Sequence, residues 1–216
     1  MLSFSPELIG EVLMRKALLV MAALSLFSSV ARAADRQQMR QREVEVIHSV
    51  ISSLPIAERK AVFREMAASM KADLWSLQLR KFIGVHPDLS AEQLAITAAA
   101  ATLLVPRTFE LSTASPEWEA EVGEPLRRLE TAARMQFPRE MLVEAFGRLG
   151  PDESAETTAR PAKGLIRRVG PQNVPNCNCT RASDWCLFSD CGGAVCYAST
   201  DGCGWWWQYA CSSKCG

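Results

Sequence analysis

The sequence predicts a mainly α protein: a helical domain, then a flexible linker, then a small disulfide-rich C-terminal domain containing a β-hairpin. Three observations lead there. All eight cysteines lie between Cys177 and Cys215, and the residues before them contain none. From about position 35 to 149, apolar residues recur at intervals of three and four, the period of one helical face. Between these regions, Gly150 to Asn176 holds four of the eleven prolines, three glycines, no aromatic residue and no helical period, so it reads as a linker. The expected organisation is a signal peptide over 1–33, a helical domain over 34–149, the linker over 150–174 and the disulfide-rich domain over 175–216.

The N-terminal segment sets the compartment. Arg15 and Lys16 form a positive n-region, Ala17 to Phe27 an apolar core, and Ala31-Arg32-Ala33 a small-x-small cleavage site, with cutting expected between Ala33 and Ala34. The apolar core is too short for a membrane-spanning helix, which needs about 20 residues. Glu7 and Glu11 do not suit an n-region, so Met14 stands beside Met1 as a start of translation. Export through the secretion machinery leads to an oxidising compartment, and the expected location is outside the producing cell.

In the helical region, Val44, Ile47, Ile51 and Leu54 mark one face, Trp75, Leu79 and Phe82 a second, and Leu126, Leu129 and Ala133 a third. Ser90, with Gln93 three residues on, forms a capping box. Ser115 followed by Pro116 is a cap with proline at the first helical position. Five to seven short helices are expected. "AITAAAATLL" reads as a tightly packed helix, and Glu117, Glu119 and Glu121 as a solvated face. His48 reads as a partly buried histidine and His86 as a loop histidine. No H-E-x-x-H, G-x-S-x-G or phosphate-binding glycine loop occurs, so no catalytic residue, enzyme activity or cofactor is expected. The linker pair Arg167-Arg168 suits a processing protease, or simply keeps a tether soluble.

About forty residues bury too little apolar surface to fold alone, so the C-terminal domain needs staples. Cys177, Cys179, Cys186, Cys191, Cys196, Cys203, Cys211 and Cys215 supply up to four disulfides. Sequence leaves roughly a hundred pairings, reduced a little because Cys177 and Cys179 are too close to bridge each other without strain. The cysteines include no C-x-x-C pair and the segment has no histidine, so metal is not expected. "AVCYAST" and "WWWQYAC" are β-prone runs with Asp201-Gly202 as a favoured turn pair between them. As a strand, Trp205, Trp207, Tyr209 and Cys211 would share one face and Trp206 the other. A domain this small cannot hide both sets, so at least one indole is expected at the surface, with Trp205, Trp206, Trp207 and Tyr209 as target contacts. Alternatively, the indoles merely cover disulfides. Whole-chain charge balances at 24 acidic and 24 basic residues, and the C-terminal domain carries three aspartates against Arg181 and Lys214. That charge suits neither a cationic membrane-disrupting peptide nor a nucleic-acid binder. A membrane interface or a specific receptor remains.

"NCNCTRASDWC", followed by "CYASTDGCG" and an aromatic run into "YAC", resembles the fulvocin C-related bacteriocins over Pro175 to Cys215. The intervals flanking Cys191 are shorter than that family's, and Cys211 and Cys215 are more widely spaced. The resemblance implies a bacteriocin precursor in which the helical segment is a propeptide and the C-terminal domain an antimicrobial toxin freed by proteolysis. In such a precursor an apolar groove of the helical segment is expected to cover the aromatic patch until the Gly150 to Asn176 linker is cut; alternatively, the helices serve only export or folding and the patch is exposed throughout. It also implies a target-cell membrane or receptor, and the producer of such a toxin calls for an immunity protein. The alternative is an extracellular disulfide-rich inhibitor or binding module without killing activity. N-terminal sequencing of exported material is expected to read from Ala34; a chain starting at Met1 or Met14 would contradict the signal peptide.

Overall fold

A computed structural model describes residues 35–151 and, at the cysteine-rich end, residues 177, 179–180, 191–192, 196 and 198–215. The signal-cleavage residues Ala31, Ala33 and Ala34, the processing pair Arg167 and Arg168, and Cys186 lie outside the described residues. By internal packing the chain divides into Met1–Glu43 and Val44–Gly216. Of the first unit, residues 35–43 are described, and they are helical. The second contains both the remaining helices and the cysteine-rich end.

The protein is mostly helical, with a short antiparallel hairpin near its C-terminus. The first helix, α1 (35–52), buries Val44, His48 and Ile51 along one face. Pro55 precedes α2 (Ile56–Arg64), which turns Arg59 and Phe63 inward. The central helix, α3 (Ala68–Val85), is enclosed along Leu74, Trp75, Leu77, Gln78, Leu79 and Phe82. The Ser90 capping box opens α4 (Ala91–Leu103), the Ser90 hydroxyl accepting from the Gln93 N–H and the Gln93 side chain accepting from the Ser90 N–H. Only Ile96, Thr97 and Ala100 of this helix are buried, so the alanine run packs by one narrow face and leaves its other alanines in solvent. Small side chains there reflect helix propensity more than close approach. Next comes α5 (Pro106–Glu110), which packs on α3.

The helix capped by Ser115 begins as α6 (Pro116–Trp118), widens into a π turn over Glu119–Gly123 and continues as α7 (Glu124–Gln136). Pro125 has no N–H to close the bond four residues back, and the wider turn accommodates the missing bond. A side chain at Gly123 would stand 2.6 Å from the Trp118 ring, so glycine lets that ring lie against the turn. The last helix repeats the arrangement: α8 (Arg139–Leu142) opens into a π turn over Val143–Gly147. No helix of the described residues is long and apolar enough to cross a membrane.

The cysteine-rich end contributes β1 (Cys191–Gly192) paired antiparallel with β4 (Lys214–Cys215), and β2 (Ser199–Cys203) paired with β3 (Tyr209–Cys211). The hairpin is therefore present, but its turn is not where the sequence pattern places it. Asp201 and Gly202 lie inside β2, and the connection is Gly204 to Gln208, built around a 3-10 turn over Trp205–Trp207. Packing overrode the local turn preference: the three indoles are carried inward together, which an extended strand with alternating faces cannot do.

Among the buried polar groups, Arg59 and His48 tie separate elements together. Arg59 donates to the carbonyls of Leu54 (2.5 Å), Leu149 (3.0 Å) and Pro151 (2.9 Å), tying α2 to the end of the helical segment. His48 bonds Gln78 Oε1 through Nε2 at 2.9 Å, while Nδ1 faces Ser52 Oγ at 3.2 Å and Lys81 Nζ at 3.1 Å. This network suits a neutral ring protonated on Nε2. His86 caps α3 and meets Glu144 at 3.1 Å.

Two outcomes follow from these groups. Arg59→Ala would strand buried carbonyls and is expected to lower unfolding stability by about 2–4 kcal/mol in urea titration. Burial, and then the Lys81 ammonium, hold the His48 pKa below the ordinary histidine value, against a smaller upward pull from Gln78 than from burial downward. The unfolded chain thus takes up this proton first as pH falls. Stability should drop from about pH 6.5 downward until the folded ring itself protonates. A His48→Leu variant should lose that part of the slope.

Candidate functional site

The candidate site is the seat of the aromatic run. Trp205 and Trp206 are 0 % exposed and Trp207 is 6 % exposed, all within the same apolar core as the helices. This corrects the expectation of a surface indole. A forty-residue domain cannot conceal three indoles, but the helical segment can, and it does so with aromatic side chains at matching positions.

Trp205 stacks on Phe146 with ring centroids 3.8 Å apart and planes 5° from parallel. Trp207 meets Phe63 edge-on at 5.1 Å and Trp75 at 5.5 Å. Its indole N–H donates to the Gly147 carbonyl at 2.9 Å. That carbonyl ends the last π turn, where a helix leaves its final carbonyls without intrahelical donors. Tyr209 stands edge-on to Trp118 at 5.9 Å, beside the other π turn. Both widened turns thus carry ring partners of the aromatic run. Burial, followed by the nearby Glu130 carboxylate, pushes the Tyr209 pKa well up, so the phenol stays neutral.

Burial of an indole removes about 200 Å² from water, or about 5 kcal/mol at ~25 cal/mol per Å². Three rings amount to about 15 kcal/mol, an upper bound because an unfolded chain already hides part of that area. Against it stand local costs. Trp206 (φ 52°) and Trp207 (φ 58°) are both in the left-handed region, at about 1–2 kcal/mol each for a bulky residue. The Trp206 indole N–H is buried with no acceptor among the described residues, a further cost of about 1–3 kcal/mol. The loop keeps this shape because the seat outweighs those penalties.

Among the described residues, three disulfides hold the cysteine-rich end: Cys177–Cys196, Cys179–Cys191 and Cys203–Cys211. The close neighbours Cys177 and Cys179 each bridge elsewhere. These bonds belong to an oxidising, extracellular-type environment, and the six joined cysteines offer no thiolate to a metal. Cys203–Cys211 closes the loop that carries the tryptophans, and Cys177, Cys203 and Cys211 form a small core of their own. Cys215 enters through its backbone, paired with Cys191 across β1 and β4. Lys60 reaches over this corner, its ammonium 5.9 Å from the Trp207 ring centre. A cleft of about 100 Å³ opens beside it, rimmed by Lys60, Arg64, Lys71 and Gln208.

Phe146, Gly147, Phe63 and Trp118 are the partners that the sequence pattern did not single out. No local signal in the sequence marks them, because the helical segment is not richer in aromatic residues than the chain as a whole. Gly202 also escaped notice as anything but a turn residue. It lies at φ 61°, and a Cβ there would come 2.3 Å from the Trp207 carbonyl oxygen. The chain matches no family model, no curated protein and no solved structure.

Trp205→Ala should cost about 3–5 kcal/mol by leaving the Phe146 face open. Gly202→Ala should cost more than about 2 kcal/mol and release Trp207 from its seat, seen as a red shift of tryptophan emission. Normal stability in either variant would contradict the packing described.

Proposed function

We propose that the chain is a secreted bacteriocin precursor. Its cysteine-rich end is the toxin, and the helical segment is a propeptide that keeps the toxin's aromatic surface covered until proteolysis. The observation that supports this reading best is the burial of Trp205, Trp206, Trp207 and Tyr209 against helices from which a linker separates them in sequence. In a free C-terminal domain these side chains have no core of their own, so release would turn a hidden patch into an adhesive one. The signal-peptide pattern and the resemblance of the cysteine-rich end to fulvocin C-related bacteriocins support the same reading, and the disulfides are compatible with it. Target engagement by indoles accords with a membrane interface or a receptor pocket, because both take an amphipathic ring.

The slight negative charge of the C-terminal domain gives no attraction to anionic lipid and favours a receptor as the first contact. The same feature keeps open a second reading, an extracellular inhibitor or binding module. Growth inhibition by the C-terminal product purified from culture supernatant separates the two. The expected product kills sensitive bacteria, has an intact mass corresponding to eight oxidised cysteines, and shows stronger acrylamide quenching per tryptophan than the precursor. A product that binds a surface polymer or protease and inhibits no growth would favour the second reading and sink the first.

A further inference from the structure

We infer that the helical segment is a neutralising partner of the cysteine-rich end that holds it without the linker, so that cutting the linker leaves a non-covalent two-chain complex and not a free toxin. The inference rests on the masking reading above for its biological meaning, but its physical ground is separate. Among the described residues, the contact between the two parts includes buried aromatic rings, the Trp207 to Gly147 hydrogen bond and Lys60 reaching Cys203 and Trp207, and none of these involves residues 152–176. Trp205 and Trp206 are as enclosed as Trp75 and Phe82, which belong to the helices themselves. Large aromatic side chains in fully desolvated pockets are the kind of contact that dominates stable interfaces. Severing the linker removes only the local concentration it supplied, on the order of millimolar, and leaves these contacts in place.

The seat is also specific. The Phe146 ring accepts Trp205 face-on, the Phe63 and Trp75 edges flank Trp207, and the Gly147 carbonyl reads an indole N–H. A second copy of the same aromatic loop, held by the Cys203–Cys211 bridge, presents the same chemistry. A helical segment whose own C-terminal end has been lost is therefore a receptor for toxin released from another molecule. Because the helical segment contains no cysteine, its hold on the loop involves no disulfide between the two parts and is reversible. Activation then takes two steps, a cut in the linker and destruction or displacement of the helical fragment.

The test uses the full exported chain with a site-specific protease sequence placed between residues 152 and 176. After cutting, the two fragments are run on gel filtration without reductant, at about 10 µM and after tenfold dilution. They are expected to co-elute at both concentrations and to separate in urea, which excludes a covalent link. Trp207→Phe keeps an aromatic ring but removes the pyrrole portion with its N–H, and should weaken the complex at least about tenfold. Phe146→Ala should separate the fragments at the higher concentration. Wild-type fragments that part at about 10 µM with their disulfides intact would overturn the inference and leave the toxin reading standing. Fragments that stay together while the supernatant product never kills would sink the toxin reading and leave this one.

Discussion

The Trp205 ring lying flat on Phe146 is the contact on which the rest of the arrangement depends. It places an aromatic residue of the cysteine-rich end at the centre of the helical core, and the neighbouring rings take their positions from it. With Trp205 so placed, Trp206 and Trp207 follow through two consecutive left-handed residues. Gly202 must then be free of a side chain to let the Trp207 carbonyl pass. The 3-10 turn, the displaced hairpin turn and the widened last helix all follow from carrying three indoles to one side of the chain.

Disulfides and indoles divide the work differently in this protein. The bridges act on the unfolded ensemble: Cys203–Cys211 closes a short loop and restricts where its rings can go. The indoles act on the folded state, by taking apolar area from water. A covalent staple survives separation of the two parts, whereas the burial does not. The cysteine-rich end therefore keeps its connectivity in either situation and changes mainly in how much aromatic surface meets solvent.

Much of the helical part was legible because its signals are local. Ser90 with Gln93, and Ser115 with Pro116, act within one turn, and both caps form as their spacing implies. The faces through Trp75, Leu79 and Phe82, and through Leu126, Leu129 and Ala133, needed only helical periodicity. The aromatic run was not legible in the same way. Alternation along a strand presumes that Trp205 to Cys211 is extended, and that fails. The solubility of so many indoles on a small domain does call for a covering groove on the helices, but not for its location: the partner surface is assembled from Phe63, Trp75, Trp118 and Phe146, which lie on four separate helical segments, and no local pattern reports their convergence. The turn at Asp201-Gly202 misled likewise, since a favourable dipeptide is a local preference and the burial of the indoles outweighs it.

Arg59 gives the fold a property that concerns force. Its guanidinium grips the carbonyls of Leu149 and Pro151, the last helical-segment residues before the chain leaves toward the cysteine-rich end. Any tug along that departing strand of chain, from thermal motion of the polymer or from a protease drawing it into an active site, meets this clasp before it reaches Phe146 and Gly147. It works like the clamp where a cable leaves its housing, so that tension on the cable does not reach the terminals inside.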